Sequence, residues 1–224
     1  MEKIPDYALA QQKATDLLKA VNYSKLPIDP LEIATLISNM TIKTFGDISK
    51  ETNYSIQEIS DSLDTTDGDL IFKPAQNKYV LLYNENVFSQ NRIRFTQAHE
   101  LGHYFLNHVE NSDNCLSAHR NLNDEEYDVM EKEANYFAKR LLAPIPLIVA
   151  TIEKISDNIL YPYEIATEFG LSDQTTEYVI DNMKNLRKWP QDRELENQFK
   201  TSLVKNINSI NLTRNNQIDK EIIL

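Results

Sequence analysis

The sequence of 224 residues holds one cysteine, four histidines and a deficit of positive charge. Cys115 alone cannot close an internal disulfide, which argues against a disulfide-stapled secreted scaffold. The opening Met1-Glu2-Lys3-Ile4-Pro5-Asp6 lacks the basic-then-apolar layout of a signal peptide, so the expected location is the cytoplasm. No apolar run reaches the ~20 residues that a membrane-spanning helix needs. The longest candidate, near Leu141 to Ile152, is short and broken by Pro144 and Pro146. With 23 basic against 34 acidic residues the formal charge is −11, so a nonspecific grip on nucleic-acid phosphates would work against net repulsion. Direct nucleic-acid binding is not expected, and neither repeats nor long low-complexity segments are found.

What is present is the composition of an ordinary globular protein, 41% hydrophobic and 25% charged. Helical spacing of Ala10, Ala14, Leu17, Leu18 and Val21 predicts a first helix over Asp6 to Val21. A second is predicted over Pro30 to Asn39, with Asp29 as cap and proline at the first helical position. Thr41 to Phe45 alternates as a strand. A short helix fits Ser55 to Leu63, and strands over Asp69 to Lys73 and Lys78 to Tyr83 suit a hairpin. Beyond Asn86 the pattern is helical: Gln90 to Asn107, Asp124 to Leu142, Ile145 to Ser156, Pro162 to Phe169 and Ser172 to Lys188. After Trp189-Pro190 the chain turns polar and Asn-rich, supporting one further helix around Phe199 to Ile207 and a loosely ordered tail from Asn208. The order of elements implies an α+β fold. The expected division is a main domain over residues 1–160 and a C-terminal helical extension over 161–224.

Two of the four histidines stand four residues apart in His99-Glu100-Leu101-Gly102-His103. On a helix that spacing places both imidazoles on one face, about 6 Å apart in rise. Glu100 lies about 100° round the helix, where it can reach a water on the metal instead of the metal itself. Zinc would polarise a carbonyl and lower the pKa of water toward ~7, and a nearby carboxylate would take the proton. Histidines that share a face can also be plain core or surface residues, but the glutamate between them and the strength of the helical pattern favour a site.

A third protein ligand is needed. In the helix after Asp124 the apolar arc is set by Met130, Ala134, Phe137, Ala138 and Leu141, and angular bookkeeping puts Glu131 nearer that inward arc than Glu133. Glu131 is the favoured ligand and Glu133 the alternative. Asn135, one turn on, could fix a histidine tautomer. Gly102 costs a helix interior about 1 kcal/mol relative to alanine, and close approach by another backbone, such as a strand edge, would explain it. His108 follows His103 too closely to be the third histidine of the extended three-histidine motif. Tyr104, Tyr136, His108 and His119 are all candidates for stabilising an oxyanion.

Arg94 to His108, then Glu131-Lys132-Glu133-Ala134-Asn135-Tyr136-Phe137-Ala138 and Leu141-Leu142-Ala143-Pro144, resemble the ImmA/IrrE family of metallopeptidases. Leu26-Pro27-Ile28-Asp29-Pro30 with Ile33-Ala34, and Tyr83-Asn84, match the family's N-terminal layout; the resemblance runs from about Ala8 to Pro146. It implies a mostly helical, zincin-like α+β domain with a small β-sheet packed on the HExxH helix, Zn2+ as cofactor, and Glu131 as the metal-binding glutamate. It further implies a site-specific anti-repressor protease that cleaves a helix-turn-helix repressor of a phage or mobile element.

The competing reading is a transcription regulator that uses the fold without hydrolysis. Glu164 to Ser172, followed by a helix through Asn182, has a helix-turn-helix layout. A DNA-reading helix should carry basic or amide groups. Here Glu164, Glu168, Asp173, Glu177 and Asp181 precede the first basic residue, Lys184, so a helical hairpin closing the core is preferred. A polar stretch over Asn111 to Asn123, between the two ligand helices, could cover the cleft.

Overall fold

A computed structural model describes residues 4–109 and 124–222. His119, Cys115 and the polar stretch over Asn111 to Asn123 lie outside the described residues. The elements run α1 (Tyr7–Ala20), α2 (Pro30–Ala34), β1 (Met40–Thr44), α3 (Phe45–Thr52), α4 (Ile56–Leu63), β2 (Gly68–Lys73), β3 (Lys78–Tyr83), α5 (Gln90–Phe105), α6 (Asp124–Leu142), α7 (Ile145–Lys154), α8 (Pro162–Phe169), α9 (Asp173–Lys184), α10 (Arg193–Gln198) and α11 (Lys200–Ile222). This is the expected α+β, mostly helical fold with a small sheet. No described helix is long and apolar enough to cross a membrane.

The chain forms two compact units, residues 1–17 with 29–141 and residues 18–28 with 142–224. In the first, the sheet order is β1-β3-β2. β3 is central, parallel to β1 (Ile42 beside Leu81) and antiparallel to β2 (Leu70 beside Leu81). Its run Tyr79-Val80-Leu81-Leu82 is buried on both faces, as a central strand's should be. Leu82 packs with Phe45 and Ile59 under α3 and α4. On the other face the Tyr79 ring meets Tyr104 of α5 edge-on at 4.8 Å.

Sequence periodicity missed α3. Thr44 ends β1 and also caps α3, accepting from the Asp47 N–H while the Asp47 carboxylate accepts from the Thr44 N–H. That reciprocal box turns Phe45 from the expected strand into the first helical residue, where it is fully buried. Ser55 and Glu58 form the same box on α4. Asp29 caps α2 as expected, although α2 is shorter than the run to Asn39.

In the second unit, α8 and α9 meet at Gly170, whose φ of 62° ends α8 in the left-handed conformation. Ile165, Phe169 and Val179 are buried there. The tail expected to be loose is helix: α11 runs unbroken to Ile222. Arg214 on α11 donates to both Glu164 oxygens at 2.7 Å, to Asp157 at 3.1 Å and to the Ile159 carbonyl at 2.7 Å, and lies over the Tyr161 ring. One arginine thus ties the helix to four other residues of its unit.

Candidate metal centre

Serine at position 89 starts α5, its hydroxyl accepting from the Arg92 N–H. From Thr96 to His103 every residue of this helix is buried, so the histidine-bearing turns run through the interior of the first unit. β2 lies against it so closely that a Cβ on Gly68 would come within 2.6 Å of Thr96 Cγ2 and of the Leu82 carbonyl. α6 lies on the other side. A Cβ on Gly102 would stand 3.1 Å from both Cα and O of Ala134 and 3.2 Å from Phe137 Cδ1. The close neighbour of Gly102 is therefore a helix backbone, not the strand edge that the sequence suggested.

This approach carries Glu131 to the histidines. His99 Nε2 and His103 Nε2 are 2.9 Å apart, Glu131 Oε1 is 3.1 Å from His103 Nε2, and Glu131 Oε2 is 3.3 Å from His99 Nε2. Burial, outweighing the pull of the Glu131 carboxylate, pushes the His103 pKa down to about 3, so this ring is neutral at ordinary pH. The Glu131 carboxyl sits well below its usual range: burial opposes ionisation, but contacts with His103 and His99 prevail. The cluster is therefore three electron-pair donors converging on one point, an arrangement that repels itself unless a cation or shared protons sit among them. With metal–ligand bonds of 2.0–2.1 Å, tetrahedral zinc sets its ligand atoms roughly 3.3 Å apart. The His99–Glu131 spacing equals that figure and the other two, 2.9 and 3.1 Å, lie a few tenths of an ångström below it, so His99, His103 and Glu131 could hold a metal ion.

Glu100 does not join the three. It is 2% exposed, accepts a hydrogen bond from the Leu70 N–H of β2, and keeps Oε2 buried without a hydrogen-bond partner. Burial first, then the nearby charges of Asp69 and Glu131, raise its pKa well above the ordinary range. A cavity of about 220 Å³ opens onto His99, Glu100 and Glu131, with Gly68, Phe95 and Asn135 among its other walls.

The alternative ligand, Glu133, is engaged elsewhere, 3.1 Å from His108 Nε2. Asn135 faces the cavity, and the ring that meets His103 Nδ1 is that of His108. Of the oxyanion candidates, the Tyr104 and Tyr136 hydroxyls turn to Asn39 and Gln11. Sequence reasoning passed over two residues. Asp69 is fully buried and bears on Glu100. Tyr127, one helical turn before Glu131, has its pKa pushed up to about 12 by burial and then by Glu131 and Glu100, so it stays a donor. Angular bookkeeping on α6 could have found Tyr127; nothing local in the sequence marks Asp69.

The family model for the IrrE N-terminal-like domain, Peptidase_M78, matches residues 51–181, more than half of the chain. Metallopeptidase ImmA of Bacillus subtilis (strain 168) is 28% identical over 145 residues, covering 63% of this chain and 80% of its own length. The matched segments contain both helices that build the centre, so descent and geometry agree: the chain belongs to the ImmA/IrrE family of metallopeptidases.

Proposed function

We propose that the protein is a zinc-dependent endopeptidase with His99, His103 and Glu131 as metal ligands and Glu100 as general base, and that its substrate is a helix-turn-helix repressor of a phage or mobile element. The observation that carries this reading is the convergence of two imidazoles and a carboxylate within 4.8 Å of one another. The donor set, two nitrogens and one carboxylate, suits Zn2+ and leaves a fourth position open. Zn2+, when bound, supplies Lewis acidity toward a carbonyl and a water. Glu100 Oε2 is the atom that takes a proton from the attacking water and passes it to the leaving amide nitrogen. A carboxyl with a raised pKa suits both halves of that task. β2 lies against the carboxylate, which is 2% exposed and accepts from the Leu70 N–H.

Elemental analysis of the gently purified protein is expected to give one zinc per chain, lost in Glu131→Gln and kept in Glu133→Gln. The repressor encoded nearest the gene is expected to be cut by the wild type and left intact by Glu131→Gln. A wild type without metal that cleaves nothing on adding zinc would remove the enzyme reading and favour a non-proteolytic transcription regulator.

A second variant tests how the ligand distances are set. Gly102→Ala gains about 1 kcal/mol of helix propensity and costs about 1–3 kcal/mol in overpacking against the Ala134 backbone. Its melting temperature should stay level or fall by several degrees, for a net loss of about 0–2 kcal/mol, while its zinc affinity falls, because α6 must retreat and take Glu131 with it. Calorimetry alongside chelator competition checks this, and unchanged affinity would show that the helix spacing does not control the ligands.

A further inference from the structure

Behind His103, on the side away from Glu131, a line of polar groups leads out of the centre. His103 Nδ1 meets His108 Nδ1 at 3.0 Å, His108 Nε2 meets Glu133 Oε2 at 3.1 Å, and Glu133 Oε1 accepts from the backbone N–H of Asp6 at 2.6 Å. His103 is fully buried and His108 is 5% exposed. The end of α5 places His108 there. The Asn107 N–H donates to the Tyr104 carbonyl and the His108 N–H to the His103 carbonyl, with Asn107 at φ 56°. This is the paired closure of a Schellman motif, and asparagine tolerates its left-handed position. It folds the chain back so that the His108 ring lies against His103, on a part of α5 the helix itself could not reach.

Carboxylates stand at both ends of the line, Glu133 at His108 Nε2 and Glu131 at His103 Nε2, so a cation that takes the place of a hydrogen between His103 Nε2 and Glu131 leaves the direction to the Glu133 end. A carboxylate only accepts, so His108 Nε2 carries a hydrogen; the neutral ring then offers a lone pair at Nδ1, and His103 Nδ1 must donate. That leaves the lone pair of His103 on Nε2, the nitrogen that faces His99 and Glu131. The reverse order would put the hydrogen on His103 Nε2 and block it as a ligand.

We infer that His108 and Glu133 are positioning residues: they set the tautomer and ring plane of His103 for cation binding, and the Asp6 amide anchors them to the start of α1. Both the tautomer and the role in cation binding rest on the zinc reading of the centre; the line of contacts from His103 to Asp6 does not. It also accounts for a second glutamate two residues from Glu131 that takes no part in the ligand triad.

The test uses the full chain and two readouts. In the zinc-loaded protein, ring-nitrogen chemical shifts should show His108 protonated at Nε2 with its Nδ1 accepting from His103 Nδ1; His108→Phe keeps an aromatic ring but has no acceptor. In chelator competition, His108→Phe and Glu133→Ala should bind zinc about 10–100-fold more weakly than wild type. Glu133→Gln, whose amide oxygen can still accept from one of the two donors, should fall between Glu133→Ala and wild type. His108 protonated at Nδ1 in the zinc-loaded protein would overturn the inference, as would a folded His108→Phe with wild-type zinc affinity. A wild type that binds no zinc would defeat the metal reading and the inference with it, whereas a wild type that binds zinc beside a His108→Phe of equal affinity would defeat the inference alone.

Discussion

Glu100→Gln is expected to lose repressor cleavage by about 10²–10⁴-fold in kcat/KM, to keep its zinc, and to be more stable than wild type when the metal is removed. The loss follows from the role of Oε2, since an amide cannot take the proton. The gain in stability follows from the surroundings of that oxygen. It is buried without a hydrogen-bond partner, and Asp69 and Glu131 add negative charge nearby. A carboxyl whose pKa is higher folded than unfolded binds more protons in the folded state, so stability is greatest below the unfolded value and is lost as pH rises toward the folded one. Glutamine has no charge to desolvate, and its amide oxygen can still accept from the Leu70 N–H. The relief comes from a charge that no longer has to be desolvated, so it should grow as pH rises toward the folded value. Urea denaturation of the metal-free proteins at a series of pH values rising from the ordinary carboxylate range is the measurement. A variant less stable than wild type at the upper end would contradict the burial argument, and one that still cuts would remove Glu100 from proton transfer.

The second large effect lies in the other unit. Arg214→Met should cost about 3–5 kcal/mol, because it strands the Glu164 carboxylate, whose side chain is 4% exposed, without its partner. The companion change Glu164→Leu should restore most of the loss in the double variant, since a buried pair replaced by apolar groups is often neutral. Denaturant unfolding followed in the second unit would read both. No recovery in the double variant would mean that the arginine acts mainly through Asp157, Ile159 and the Tyr161 ring. The same contacts predict acid sensitivity. Burial would raise the Glu164 pKa, but the Arg214 hydrogen bonds and the Tyr161 amide hold it below its ordinary value, and Asp157 is lowered as well. Their contribution is present above the unfolded carboxylate range and disappears as pH falls through the folded values.

The helices of the centre were legible in the sequence because their signals are local. The histidine spacing, the apolar arc of α6 and the family resemblance led to three residues that the fold brings together. The sheet order was not legible: a hairpin between β2 and β3 says nothing of β1, which pairs with β3 across two intervening helices. α3 escaped because its cap lies in Thr44 and Asp47 while its body, Phe45 to Thr52, has too few apolar residues to show a period. The neighbour of Gly102, the contacts of His108 and the burial of Asp69 arise from chain segments far apart in sequence. For α11 the composition misled, because a polar, Asn-rich segment needs only Leu203 and Ile210 in the core, with the Arg214 network beyond them, to stay helical.

Residues 18–28 belong with the C-terminal half of the chain. Gln198 donates to the carbonyls of Leu18 and Tyr23, Ser202 donates to that of Ser24, and the Tyr23 ring faces Phe199. A ribosome releases Leu18, Tyr23 and Ile28 well before Gln198, Phe199 and Ser202 emerge. The second unit therefore closes only after those later residues are made, and the apolar side chains of residues 18–28 wait in the open until then. A protein shortened to end at Leu141 would keep every residue of the metal cluster and still carry this stretch without the partners that cover it.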